Sequence, residues 1–300
     1  MQEKLFDIQR RVVAHKTVES WETIPHAGAV IELDVTEVLA LVKKLNAHPD
    51  YAQVPVTLNS IMLKLIAEGF KKSPDLIAHI SYNKRNNTGV MRYQDSLDIA
   101  VPLLASCNRM ITPVLRNADK MSLRELCLAM EDLKRRARNT QVDLLLLEAG
   151  FKDTWQRLAK GQVVTVLRRL WANFLGGGKL KLPPRAERKR FYGLPAAERL
   201  TAADLFGACT LVSNFGSVMP ELRAWGALLE IIPPQITAIA LASARKQPAV
   251  VEDASGKETI AVRQILPMTL YIDHRALDFE QCIACLKRIT QLCAAPDELI

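Results

Sequence analysis

The sequence is short of the groups from which metal sites, disulfide scaffolds and membrane spans are made. Its six cysteines, at 107, 127, 209, 282, 285 and 293, follow no framework spacing, which argues against a disulfide-stapled module and suits a reducing compartment. Cys282 and Cys285 form a lone CxxC inside EQCIACLKRITQLC, where apolar residues recur every three or four positions. No second Cys or His pair completes a ligand set, so helix packing is the expected use and no metal is expected. No apolar stretch reaches the roughly 20 residues of a spanning helix. The most apolar one, IIPPQITAIALASA at 231–244, has two prolines near its start and reads as a buried strand. The opening MQEKLFDIQRR has no signal-peptide character, and a cytoplasmic location is expected. Zinc-finger spacings, RNA-binding aromatic motifs and Gly-rich phosphate loops are missing, so nucleic acid is not an expected partner despite the net charge of +8.

That charge is concentrated. Residues 141–200 carry 12 Lys or Arg against 5 Asp or Glu, which leaves the rest of the chain close to neutral. From Trp155 to Leu175 the apolar residues fall on one face of a helix, which should end at the glycine run 176–178. KLKLPPRAERKR then supplies six bases to one acid, with two prolines expected to keep it irregular. The stretch 141–200 therefore reads as a basic amphipathic insert in a domain formed by 1–140 and 201–300. Its apolar face suits burial against the host domain or a neighbouring subunit, or, through 153–190, an anionic membrane surface.

Outside the insert, strand-like and helix-like segments alternate. AGAVIELDV (27–35) has strand character and TEVLALVKKLNA follows as a helix with Thr36 as its expected cap. TLNSIMLKLIAEGFKKSP is helical, HISYNKRNNTGVMRYQ reads as strand, turn, strand, and MSLRELCLAMEDLKRRARN is a helix opened by a Ser122–Glu125 capping box. Strands and helices mixed along the whole chain predict an α/β sandwich around a mixed sheet.

Five histidines are present, at 15, 26, 48, 79 and 274. His274 closes the strand-like LPMTLYID, and Asp278 stands four residues on, before the helical FEQCIACLKRI. Taken alone, His-x-x-x-Asp is a weak pattern: Asp278 with Gln281 is a sufficient helix cap, and His274 a sufficient surface residue. The sharper reading is a general base and the carboxylate that organises it. TLVSNFGS (210–217) places the Ser213 hydroxyl at another strand end, where α/β sheets commonly build sites.

Taken in order, six patterns change the balance. They are SWETIPH at Ser20–His26, Ala100-Val101, Pro113-Val114 with ADKMSL at Ala118–Leu123, Ser213-Asn214-Phe215-Gly216, Pro233-Pro234-Gln235, and DHRALD at Asp273–Asp278. Together they resemble the catalytic domain of the dihydrolipoamide acyltransferases of 2-oxoacid dehydrogenase complexes, which share the chloramphenicol acetyltransferase-like two-layer α/β sandwich. The resemblance covers about 8–140 and 200–300. It implies that His274 is the base for a coenzyme A or dihydrolipoyl thiol. Ser213 is then the oxyanion donor, and Asp278 the residue that orients the His274 loop through an arginine. Asn214, Arg275 and His26 become candidate substrate contacts. It further implies acyl-CoA as substrate, a lipoyl or other carrier protein supplied in trans, and a homotrimer, or a multiple of trimers, with His and Ser meeting from different chains. The sequence departs from the family where Phe279 replaces a glycine and where Ser106–Met110 replaces Arg-Gly-Leu. No lipoyl domain is expected ahead of the catalytic region. A scaffold that keeps the fold without the chemistry, using the insert to dock a partner or membrane, is the alternative.

Overall fold

A computed structural model describes residues 3, 5–159, 163–171, 182–252 and 255–300. In chain order its helices and strands begin with α1 (Ile8–Thr23), β1 (His26–Asp34), α2 (Thr36–Asn46), α3 (Leu58–Phe70), β2 (Ala78–Asn83) and β3 (Thr88–Tyr93). Four short strands follow, β4 (Ile99–Ala100), β5 (Leu103–Leu104), β6 (Met110–Ile111) and β7 (Val114–Leu115), and then α4 (Leu123–Arg138). Helices α5 (Val142–Ala159), α6 (Val163–Leu170) and α7 (Arg185–Gly193) precede β8 (Thr210–Asn214), β9 (Thr237–Leu241), β10 (Arg245–Glu252), β11 (Glu258–Asp273) and α8 (Ile283–Ala294).

The chain divides into two compact units. The larger, residues 20–101, 115–130 and 208–300, carries the main sheet, ordered β1-β11-β9-β8-β4-β7 with β10 paired to β11. β8 runs parallel to β4 and β9, whereas β11 is antiparallel to β1, β9 and β10. The sheet is therefore mixed, as expected. All five residues of β9 are buried, as the apolar run at 231–244 predicted. Helix α3 packs on α8 and α2, with α8 against β1. Gly69 makes that packing close: a Cβ there would stand 2.7 Å from Ile289 Cγ1. Ile61, Met62, Leu63, Leu65, Ile66 and Phe70 are fully buried, so α3 is wrapped by the core on nearly every side. The β2–β3 hairpin forms where strand, turn, strand was read.

Thr36 opens α2 but does not cap it. Its backbone N–H and its hydroxyl both donate to Asp34 Oδ1, at 3.0 and 2.6 Å, so the last residue of β1 supplies the acceptor instead. The Ser122–Glu125 box at the head of α4 forms as read, with the Ser122 N–H donating to Glu125 Oε2 and the Glu125 N–H to Ser122 Oγ.

The smaller unit, residues 1–19, 102–114 and 131–207, contains the whole basic stretch 141–200. Helices cover 142–159 and 163–170, so helical structure starts well before Trp155; residues 160–162 and the glycine run lie outside the described residues. The expectation of irregular chain through KLKLPPRAERKR is corrected, because α7 starts at Arg185 directly after Pro184. Proline blocks a helix that would pass through it, but its fixed φ (−51° at Pro184) is compatible with one that starts just after it. Phe191 anchors α7, buried beneath the Arg199 guanidinium, which lies 4.2 Å from its ring centroid. Among the described residues no helix is long and apolar enough to cross a membrane.

Candidate active site

Strand β11 ends at Asp273, and the chain turns back at once: the Ala276 and Leu277 amides donate to the Asp273 carbonyl at 2.9 and 3.1 Å. His274 sits at the head of this turn. Its backbone amide donates to the Pro25 carbonyl at 3.0 Å, and His26 is in register with Asp273 across the β1–β11 pair. The SWETIPH and DHRALD motifs, some 250 positions apart in sequence, thus form one structural unit.

The His274 ring is about half exposed, and its Nδ1 faces two acceptors, the Leu277 carbonyl at 3.2 Å and Asp278 Oδ1 at 3.3 Å. A protonated Nδ1 satisfies both, and in the neutral ring that tautomer places the lone pair on Nε2. Asp278 also caps the turn Phe279–Cys282 in a box with Gln281, as read from the sequence. One carboxylate thus both caps this turn and approaches the His274 ring. Phe279 follows at ordinary negative φ, since the described non-glycine residues at positive φ are Asn87, Asn108 and Asn117. The backbone here does not need the family's glycine.

Arg275, a candidate substrate contact, is engaged within its own turn. Arg275 bonds Asp273, through Nε at 2.9 Å to Oδ1 and through its terminal nitrogen at 2.6 Å to Oδ2, and lies over Tyr82 with 5.3 Å to the ring centroid. His26 is also committed to the scaffold: Nδ1 donates to the Ile24 carbonyl at 2.9 Å, and Nε2 accepts from the Ile231 amide at 3.2 Å. Fully buried Ser20 donates to the Ile231 carbonyl at 2.8 Å, completing this clasp. Asn214 uses both ends of its amide, accepting from the Ser217 N–H and donating to Asn59 Oδ1, each at 3.0 Å. All three candidate substrate contacts are thus tied into the fold's own bonding. The clasp joins residues more than 200 positions apart and had no local signal in the sequence.

Ser213 is half-buried near the end of β8, just before the Asn214-capped turn. Gly216 is forced here: a Cβ would stand 2.2 Å from Ser243 N and 2.3 Å from Ala242 C. The Ser-Asn-x-Gly signature is therefore a serine held at a strand end by a turn pressed onto the backbone after β9. The register then separates it from His274. Ser213 pairs with Ala240, which pairs with Thr269, four residues before Asp273 on β11. Four residues along a strand and two strand spacings across put the Ser213 and Asp273 backbones roughly 16 Å apart. His274 belongs to the end of the sheet where β8 begins, and Ser213 to the end where it finishes.

Among the described residues no group of three or more His, Cys, Asp or Glu side chains is placed to hold a metal. Cys282 and Cys285 are buried, and burial pushes their thiols up to about 11 and about 12, so they remain protonated packing groups.

The family model described as 2-oxoacid dehydrogenases acyltransferase (catalytic domain) matches residues 2–147 and 185–300. The chain belongs to this family. Residues 148–184, within the basic stretch, fall outside the match. Among curated relatives, the dihydrolipoyllysine-residue acetyltransferase component of the pyruvate dehydrogenase complex of Zymomonas mobilis is 22% identical over 287 residues, covering 96% of this chain and 48% of its own. The corresponding component from Rhizobium meliloti is 28% identical over 140 residues, 45% of this chain and 30% of its own. The chain spans less than half the length of these relatives. Among solved structures, a probable dihydrolipoamide acetyltransferase from Listeria monocytogenes superposes with a TM-score of 0.65 at 19% identity, covering 98% of this chain and 95% of the other. These likenesses agree with the two-layer α/β sandwich inferred from the motifs.

Proposed function

We propose that the protein is an acyltransferase that moves an acyl group between coenzyme A and a dihydrolipoyl or similar thiol carrier, with His274 as general base and Ser213 as oxyanion donor. The observation that carries this reading is the His274 ring, whose Nδ1 is held by Leu277 and Asp278 while Nε2 keeps its lone pair. A thiol with a pKa of about 8.5 is mostly protonated at neutral pH, and a neutral imidazole is a suitable acceptor for its proton. Nε2 takes the proton as the sulfur attacks the thioester carbonyl. The tetrahedral oxyanion accepts the Ser213 hydroxyl hydrogen bond, and collapse expels the second thiolate, which recovers the proton from the imidazolium. General-base help is worth ~10²–10⁴ in rate and one aimed oxyanion donor about 3 kcal/mol, so these two side chains suffice for much of the catalysis.

Ser213 and His274 lie at opposite ends of one chain's sheet, so the reaction centre on this reading is completed by a second copy, as in the trimer implied by the family. The names of the relatives support a lipoyl partner within a 2-oxoacid dehydrogenase complex, reached here in trans. A purely scaffolding role would not require His274 and its carboxylate to be so arranged.

The test uses two inactive variants. His274→Ala and Ser213→Ala are each assayed for release of CoA from acetyl-CoA with dihydrolipoamide, and then refolded together. If each site draws its histidine and serine from different copies, random mixing restores about one quarter of the sites. No activity in the wild type above the His274→Ala background overturns acyl transfer; loss in both variants without recovery on mixing overturns the shared site alone.

A further inference from the structure

Helix α6 presents its apolar stripe outward. Val163, Val164, Leu167 and Trp171, which directly follows the helix, are 48%, 64%, 60% and 64% exposed, while Val166 is turned inward at 2%. At 100° per residue the four exposed positions fall within a stripe about 100° wide. On the neighbouring α5, Phe151 is exposed as well. A soluble monomer rarely leaves such a stripe to water, and the stripe lies within residues 148–184, which the family match does not include.

We infer that this face docks on an anionic lipid surface. Charge selects the occupant. Arg168 and Arg169 share the helix with the stripe, and the chain from 179 to 190 adds six bases against one acid, of which Arg185, Lys189 and Arg190 are exposed. A second copy would bring the same excess of cations against itself, whereas anionic headgroups complement it. A short helix with a tryptophan at its end and two arginines in its sequence suits burial at the level of the headgroups, and α6 is far too short to span a bilayer. The docking function is independent of the acyl-transfer chemistry and would place the enzyme against a membrane without inserting it.

Co-sedimentation of the full chain with vesicles tests this. Vesicles of equal parts phosphatidylglycerol and phosphatidylcholine should carry the protein down at low salt, pure phosphatidylcholine vesicles should not, and high salt should release it. Leu167→Glu/Trp171→Glu should lower partitioning about tenfold or more, and Lys189→Glu/Arg190→Glu should lower it severalfold, both with unchanged CoA release in the acyl-transfer assay. Leu167→Ser/Trp171→Ser provides a milder version of the first change. Failure of the wild type to bind phosphatidylglycerol vesicles, or full binding by both stripe variants, overturns the inference. So does a stripe variant that lowers the sedimenting mass of the protein while lipid binding persists, a result that assigns the face to another copy of the chain.

Discussion

Arg275 folds back onto Asp273, two residues earlier, and grips with its guanidinium fork a carboxylate that has no exposure to solvent. The pair fixes the turn that carries His274, and Tyr82 covers the guanidinium from the β2–β3 hairpin. A buried carboxylate deprived of its partner is costly. Arg275→Leu should lower unfolding free energy by ~3–5 kcal/mol in urea titrations. Asp273→Leu/Arg275→Leu should recover part of that loss, because no unpaired charge remains.

Asp278 has two duties that substitution can separate. Asn retains the helix-capping ability of Asp, so Asp278→Asn should leave the thermal midpoint nearly unchanged while removing the charge beside Nδ1. The Leu277 carbonyl still fixes the tautomer, so the fall in kcat should stay well below the ~10⁴ seen where a triad aspartate is the sole orienting group. Asp278→Ala should add a stability loss of about 1 kcal/mol by removing the cap. Thermal melts beside initial rates separate the two effects.

Gly216→Ala should damage the site without touching a reacting group. The new methyl meets the backbone of Ala242 and Ser243, which have no side-chain freedom with which to yield. The turn after Ser213 must shift, and a displacement near 1 Å in an aligned group is enough for a loss of about 10²-fold. Ser217→Ala, in the same turn but free of that clash, should retain far more activity in the same assay.

Asp34 should give the fold an acid-sensitive point. Burial raises its carboxyl pKa, but hydrogen bonds from Thr36 and Arg263 outweigh this and hold it below the usual 3.8. A lowered folded-state pKa stabilises the fold above the unfolded value, and that contribution disappears as pH falls through the folded value. Asp34→Asn should therefore be less stable than wild type at pH 7, with the gap closing below about pH 3.8. Urea midpoints across the acid range test the sign.

The sequence made parts of this architecture readable because their causes are local. The Ser122–Glu125 and Asp278–Gln281 caps each need only four consecutive residues, and the buried β9 is a continuous apolar run. Helix α1 had no such signature: Val12, Val13, Val18 and Trp21 all face water, so no apolar stripe marks it. The Thr36 cap was misread because the acceptor came from the strand before it. His26, a candidate substrate contact from the resemblance, is tied by both ring nitrogens to backbone groups of Ile24 and Ile231, the latter visible only once the chain is folded. Phe279 looked like a disruption because a glycine is expected there, yet no left-handed backbone is demanded.

On the proposed reading, the alignment of Ser213 with Thr269 rather than with Asp273 makes protein concentration a determinant of rate. A solitary chain would then own a proton acceptor and a charge-stabilising hydroxyl that cannot serve the same carbonyl. On the proposed reading, dilution below the assembly threshold should extinguish turnover while each chain stays folded, and recovery should follow the kinetics of encounter rather than those of refolding.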